Sequence, residues 1–138
     1  ANKIFKALDD KQKAQALIAK EPADAPRTIK LKGDKLGDEG IRVGDLDSQQ
    51  QELVKKLIEA MLQPYRDDDV QEARVCIKEA GGLDPLRLTF VKEGDLGNDG
   101  TWDIWRLEGP AFSWFFRGSP HVHTWLNVAR KASDDPIS

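Results

Sequence analysis

Two histidines, His121 and His123, are the only imidazoles in 138 residues, and a single valine separates them. In an extended strand alternate side chains share a face, which places the two rings about 6–7 Å apart at the Cβ level. From that spacing two ring nitrogens can converge on one divalent transition metal (Zn, Cu or Fe) when a third donor arrives from a neighbouring strand. Two histidines, one carboxylate and water leave open positions, the arrangement used for metal capture or for redox or hydrolytic chemistry. Ligation requires neutral imidazole, so acid should release the ion. No histidine remains for the third donor, and the nearest carboxylate candidates are Asp103 and Glu108 on the preceding hairpin. They have opposite parity, so only one shares the histidine face, and the strand register decides which.

A second kind of chemistry is written in the aromatic residues. Trp102, Trp105, Trp114 and Trp125 fall within one short stretch, with Arg106, Arg117 and Glu108 among them. Flat indoles flanked by hydrogen-bonding groups suit a small planar ligand, a sugar or a protein partner. The competing reading is that the rings are core, since aromatics pack well on a pleated surface. Cys76 falls on the inner face of a helix, where a buried thiol is inert, and no cysteine–histidine pairing is visible. The run 95–100 lacks the alternating acids of a calcium loop and reads as a hairpin turn. No phosphate-binding loop, dinucleotide fingerprint or serine triad is present.

The elements that must position these residues divide by composition. Residues 1–82 read as helical and polar, residues 83–130 as extended and aromatic, and residues 131–138 as a flexible tail. Together they form one α+β domain spanning 1–138, with about three helices packed on a four-stranded antiparallel meander. The first helix runs from about Asp10 to Lys20 behind a capping box of Asp9 and Gln12. Thr28 to Leu31 reads as a short strand inside a long connection. The second helix opens on Asp47 and Gln50 and carries Leu53, Val54, Leu57, Ile58, Met61 and Leu62 as a buried stripe. The echo between the two openings is a repeated capping box, not an internal repeat. The third helix follows Asp67, Asp68 and Asp69, buries Val70, Ala73, Cys76, Ile77 and Ala80, and stops at Gly81-Gly82.

Four extended segments follow, Leu86–Lys92, Thr101–Leu107, Ala111–Arg117 and His121–Ala129, joined by short turns that favour antiparallel pairing. In the last of these Val122, Leu126 and Val128 take the core side. His121, His123 and Trp125 then face the less covered side, where a ligand can reach them.

The charge balance, 21 basic against 24 acidic residues for a net charge of −3, argues against a nucleic-acid binder held by phosphate contacts. No apolar run approaches the length of a membrane span, so the expectation is a soluble protein. The first residue, Ala1, hints at export after signal removal.

The segment Trp105-Arg106-Leu107-Glu108-Gly109-Pro110, followed by an apolar strand and His121-Val122-His123-Thr124, resembles a bacterial family called domain of unknown function 3500. The helix openings Leu8-Asp9-x-x-Gln12 and Leu46-Asp47-x-x-Gln50 are similar to that family too. The resemblance implies that Arg106, Glu108, His121 and His123 belong together, with the arginine holding the carboxylate ionised as a ligand or base. It assigns no activity, although members often look exported. Three readings follow: a His-x-His metal site, a non-catalytic module that binds through tryptophans, or a structural domain.

Overall fold

The computed structural model describes residues 1–20 and 30–134. It is an α+β fold with four α-helices and a six-stranded sheet. The helices are α1 (Asn2–Ala7), α2 (Asp10–Ala16), α3 (Ser48–Leu62) and α4 (Asp67–Glu79). The strands are β1 (Leu17–Ile18), β2 (Ile41–Arg42), β3 (Arg87–Val91), β4 (Ile104–Gly109), β5 (Phe112–Arg117) and β6 (His123–Val128). Their order is β1-β3-β4-β5-β6, with β2 also paired to β3. The β3–β6 run is the expected antiparallel meander, whereas β1 pairs with β3 in parallel.

Local chemistry explains the helix starts. The Asp9 side chain accepts from the Gln12 backbone N–H, and Gln12 Oε1 accepts from the Asp9 N–H. Asp47 and Gln50 repeat both bonds at the head of α3. The two boxes also meet, because the Gln12 and Gln50 amides each donate to the other's oxygen, at 3.2 and 2.9 Å. At α4, Arg66 occupies the cap position without a side-chain capping bond, its Nε donating instead to Asp69 Oδ2 at 3.2 Å, and the three aspartates fill the first turn, where their charge favours the helix N-terminus.

Several expectations are corrected here. Among the described residues there are four α-helices rather than about three: α1 has no side-chain cap and is held by tertiary contacts. Phe5 packs edge-on against Phe90 and Trp102, and Asn2 exchanges two hydrogen bonds with the Trp102 backbone. Among the described residues the sheet has six strands rather than four. The helix starting at Asp10 ends at Ala16, not Lys20, because Leu17 and Ile18 pair with Phe90 and Val91. The second strand of the meander starts at Ile104 rather than Thr101 and runs on to Gly109. The last strand starts at His123, so His121 precedes it. In the segment read as a strand from Thr28 to Leu31, positions 28 and 29 lie outside the described residues, and Lys30 and Leu31 are in no strand.

The helices cover one sheet face. Leu88, Phe90, Trp105, Leu107 and Phe112 are buried there against Ile4, Phe5, Leu8, Val54, Ile58 and Ile77. The opposite face carries a smaller apolar cluster of Val91, Ile104 and Phe115, with Ile18 and Trp125 at its margin. An irregular strap, residues 38–40, lies against β3. Arg87 donates to the carbonyls of Asp38, Glu39 and Gly40. Gly40 has φ of +81°, and a Cβ there would stand 2.2 Å from Thr89 Oγ1, so only glycine allows this approach.

Candidate functional site

The register of the meander fixes which side chains share a face. Ile104, Arg117 and His123 form one cross-strand row, Arg106, Phe115 and Trp125 the next, and Glu108, Ser113 and Asn127 the third. His123, Trp125, Arg106 and Glu108 thus stand on one face, the one the helices leave uncovered. Leu126 and Val128 pack on the helix side, as their parity requires.

His121 and His123 come together at the open end of β6. Their ring centroids are 4.4 Å apart at 73°, and Nε2 approaches Nε2 at 2.6 Å. One ring's N–H donates to the other's bare nitrogen at that distance. The His123 ring also meets the edge of Trp125, with centroids 5.4 Å apart. His121 is exposed and His123 half-buried. The Ser119–Pro120 peptide just before them is cis.

Neither expected carboxylate stands beside this pair. Asp103 Oδ2 accepts from the Leu96 N–H at 2.7 Å, so it caps the connection between β3 and β4. Glu108 shares the histidine face but lies two rows and two strands away, about 16 Å by ordinary strand rise and spacing. Among the described residues no three His, Cys, Asp or Glu side chains are grouped closely enough to hold a metal ion.

Glu108 belongs instead to an ion-paired cluster. It accepts from Lys32 Nζ at 3.0 and 3.3 Å and lies 3.6 Å from Arg106 Nη1. Arg106 is 4% exposed and pairs through Nη2 with Glu39 of the strap, while its Nε has no hydrogen-bond partner. Arginine beside the carboxylate was expected from the sequence; Lys32 and Glu39 were missed. The signal for them was present, since two charged residues on one face of an otherwise apolar strand require counter-charges when buried. A concavity of about 790 Å³ lies nearby, around Lys30, Lys32, Lys35, Pro110, Arg130 and Lys131, at the end of the sheet remote from the histidines.

The tryptophans do not form one platform. Trp105 is buried in the helix-side core, with Trp102 and Trp114 packed against that core, whereas Trp125 stands on the opposite face beside Phe115. Trp105 and Arg106 are adjacent in a strand and so point to opposite faces. Trp114 Nε1 donates to Thr124 Oγ1 at 2.9 Å, within a shallow cleft of about 380 Å³ that Tyr65 and Leu126 also line. Cys76 is 3% exposed, and burial pushes its thiol pKa up, which suits an inert core residue. No helix among the described residues is long and apolar enough to cross a membrane.

A family model described as a protein of unknown function (DUF3500) matches residues 1–135. No curated protein and no solved structure matches the chain.

Proposed function

The chain belongs to the DUF3500 family, and from the geometry of its histidine pair we propose that it binds a divalent transition metal through Nε2 of His121 and His123. The observation that carries this reading is the 2.6 Å approach of the two Nε2 atoms at an accessible edge of the sheet. Two imidazoles bound to one ion at about 2.0–2.1 Å have their nitrogens about 2.9 Å apart at a right angle and about 3.3 Å apart in a tetrahedron. A change of tautomer that carries the Nε2 proton to Nδ1 of the same ring, with a parting of less than about 1 Å, would therefore admit an ion. Copper should bind tightest among Zn, Cu and Fe, following the general order of divalent affinities. Asp103 and Glu108 are engaged elsewhere, so neither of them completes the coordination.

Copper(II) titration tests this directly, with the fluorescence of Trp125 as the reporter, because its ring adjoins His123. Saturable quenching is expected in the native chain and its loss in a His121→Ala/His123→Ala variant. Unchanged affinity in that variant would remove the proposal. Acidification should release the ion, since imidazolium cannot ligate.

A second reading, binding of a planar ligand or partner without catalysis, is favoured by the cleft beside Trp114. Ligand-induced fluorescence changes should then disappear in Trp114→Ala and persist in Trp125→Ala, which lies on the other face.

A further inference from the structure

We infer that the concavity at the Glu108 end of the sheet binds the phosphate monoester of a small organic molecule, at a site separate from the histidines. Its wall carries five cationic side chains, Lys30, Lys32, Lys35, Arg130 and Lys131. Two carboxylates share that wall, Asp34 and Glu79, and Glu108 pairs with Lys32 at 3.0 Å. Five positive charges against three negative ones leave two unbalanced, in a chain whose overall charge is −3. A concave surface dominated by one sign of charge focuses the field and draws ions of the other sign from solution.

The wall is assembled from distant parts of the chain and held by backbone bonds. The Gly33 N–H donates to the Pro110 carbonyl at 3.1 Å, which fastens the short turn Gly33–Lys35 to the connection between β4 and β5. The Ala129 N–H donates to the Ala111 carbonyl at 3.1 Å, so the segment leading to Arg130 and Lys131 is tied to the same connection. Gly33 has φ of +53°, and a Cβ there would stand 3.0 Å from the Ala132 Cβ, so glycine lets the two basic segments close on each other. Two of the cations are fixed by carboxylates: Lys32 Nζ donates to both oxygens of Glu108, and Arg130 Nη1 donates to Glu79 Oε2 at 3.0 Å. Lys30, Lys35 and Lys131 are exposed and have no ion pair among the described residues, so their ammonium groups are the ones a ligand would engage.

Size and charge select the ligand. About 790 Å³ is room for a small organic molecule rather than for a bare ion. Pro110, Ala111 and Ala132 supply apolar surface for its carbon body. A phosphate monoester carries about 1.5 to 2 negative charges near neutral pH, which matches the two unbalanced positive ones. Four of the five cations are lysines, whose ammonium groups act on phosphate as point charges and can meet its three oxygens from several sides. The fork that suits a planar carboxylate belongs to arginine, and the one arginine here is engaged by Glu79.

Phenyl phosphate titrated into the full chain, in buffer stripped of metal ions and followed by calorimetry, tests the inference. The comparators are phenylmalonate, a dicarboxylate with the same ring and similar charge, and inorganic phosphate. The expected result is saturation at one phenyl phosphate per chain, at least fivefold tighter than either comparator. Lys35→Glu/Lys131→Glu should weaken that binding at least tenfold, with circular dichroism verifying the fold. Lys11→Glu/Lys56→Glu, an equal change of charge on α2 and α3, should leave it within twofold. The His121→Ala/His123→Ala variant should bind phenyl phosphate as the native chain does, so the result stands apart from the metal reading. Absence of saturable binding, or equal losses in the two lysine variants, would overturn the site. Phenylmalonate binding as tightly would overturn the assignment to phosphate, and inorganic phosphate binding as tightly would overturn the organic body.

Discussion

Removing the Gln50 side chain should destabilise the fold far more than its place on a polar helix terminus suggests. Gln50 is 5% exposed, and its amide makes four hydrogen bonds. The oxygen accepts from the Asp47 N–H at 3.0 Å and from Gln12 Nε2 at 3.2 Å. The nitrogen donates to the Ala7 carbonyl at 2.8 Å and to Gln12 Oε1 at 2.9 Å. At a net value of about 0.5–1.5 kcal/mol each, less what water recovers at Gln12, Gln50→Ala should cost about 3 kcal/mol. Gln12→Ala, at a half-buried position, should cost about 1 kcal/mol. Because the two amides bond each other, the double variant should be milder than the sum by about 1 kcal/mol. Equilibrium urea unfolding reads all three: with a slope of about 2 kcal/mol/M, Gln50→Ala moves the midpoint by about 1.5 M. A Gln50→Ala loss below about 0.5 kcal/mol, or strict additivity, would refute the claim that the coupled boxes tie α2 to α3.

Other outcomes follow from the two polar clusters and the core. Glu108→Gln should cost about 3 kcal/mol in thermal unfolding, because it leaves Arg106 buried with one counter-charge fewer; zinc affinity should stay unchanged, since the carboxylate lies two rows from the histidines. Arg117 is the cross-strand partner of His123, so Arg117→Ala should tighten copper binding about fivefold in calorimetry by removing a nearby positive charge. The Cys76 thiol, its pKa raised first by burial, should resist a disulfide reagent at mildly alkaline pH until the chain is unfolded. The sign for stability follows: a thiol kept protonated in the fold contributes below its ordinary pKa, and that contribution is lost as pH rises through the raised folded value. A pH series of urea midpoints into the alkaline range would show the decline, and its absence in Cys76→Ala.

What the sequence made legible was whatever is decided locally. Capping boxes at Asp9 and Asp47, the apolar stripe from Val54 to Leu62 and the Gly81-Gly82 stop act over a few residues, so their spacing sufficed. Parity was also readable in β6, where it put Leu126 and Val128 inward and His123 outward, but it failed for Val122, which precedes the strand and is 64% exposed. The same parity separates Trp105 from Arg106, so the single tryptophan platform could have been refused from the sequence. Elements that exist only through distant partners were not readable: α1 depends on Phe90 and Trp102, and β1 and β2 are two-residue strands that depend on β3. The place of Glu108 required the register, which the tight Pro110-Ala111 turn sets by pairing Gly109 with Phe112. Family membership is shown over residues 1–135.

The strap that meets β3 and β4 has a consequence for the order of assembly. Glu39 and Arg106 are 67 positions apart in the chain, so closing that loop costs about 1.5 kcal/mol more entropy than closing the shorter connection between β3 and β4. Its anchors, the Arg87 guanidinium and the Arg106 side chain, are in place only once those strands have paired. The strap should therefore be a late arrival in refolding and an early departure in native-state amide exchange, with Gly40 exchanging through openings that leave Leu88 and Leu107 protected. Such openings would wet the arginine while the helix side of the sheet stays dry.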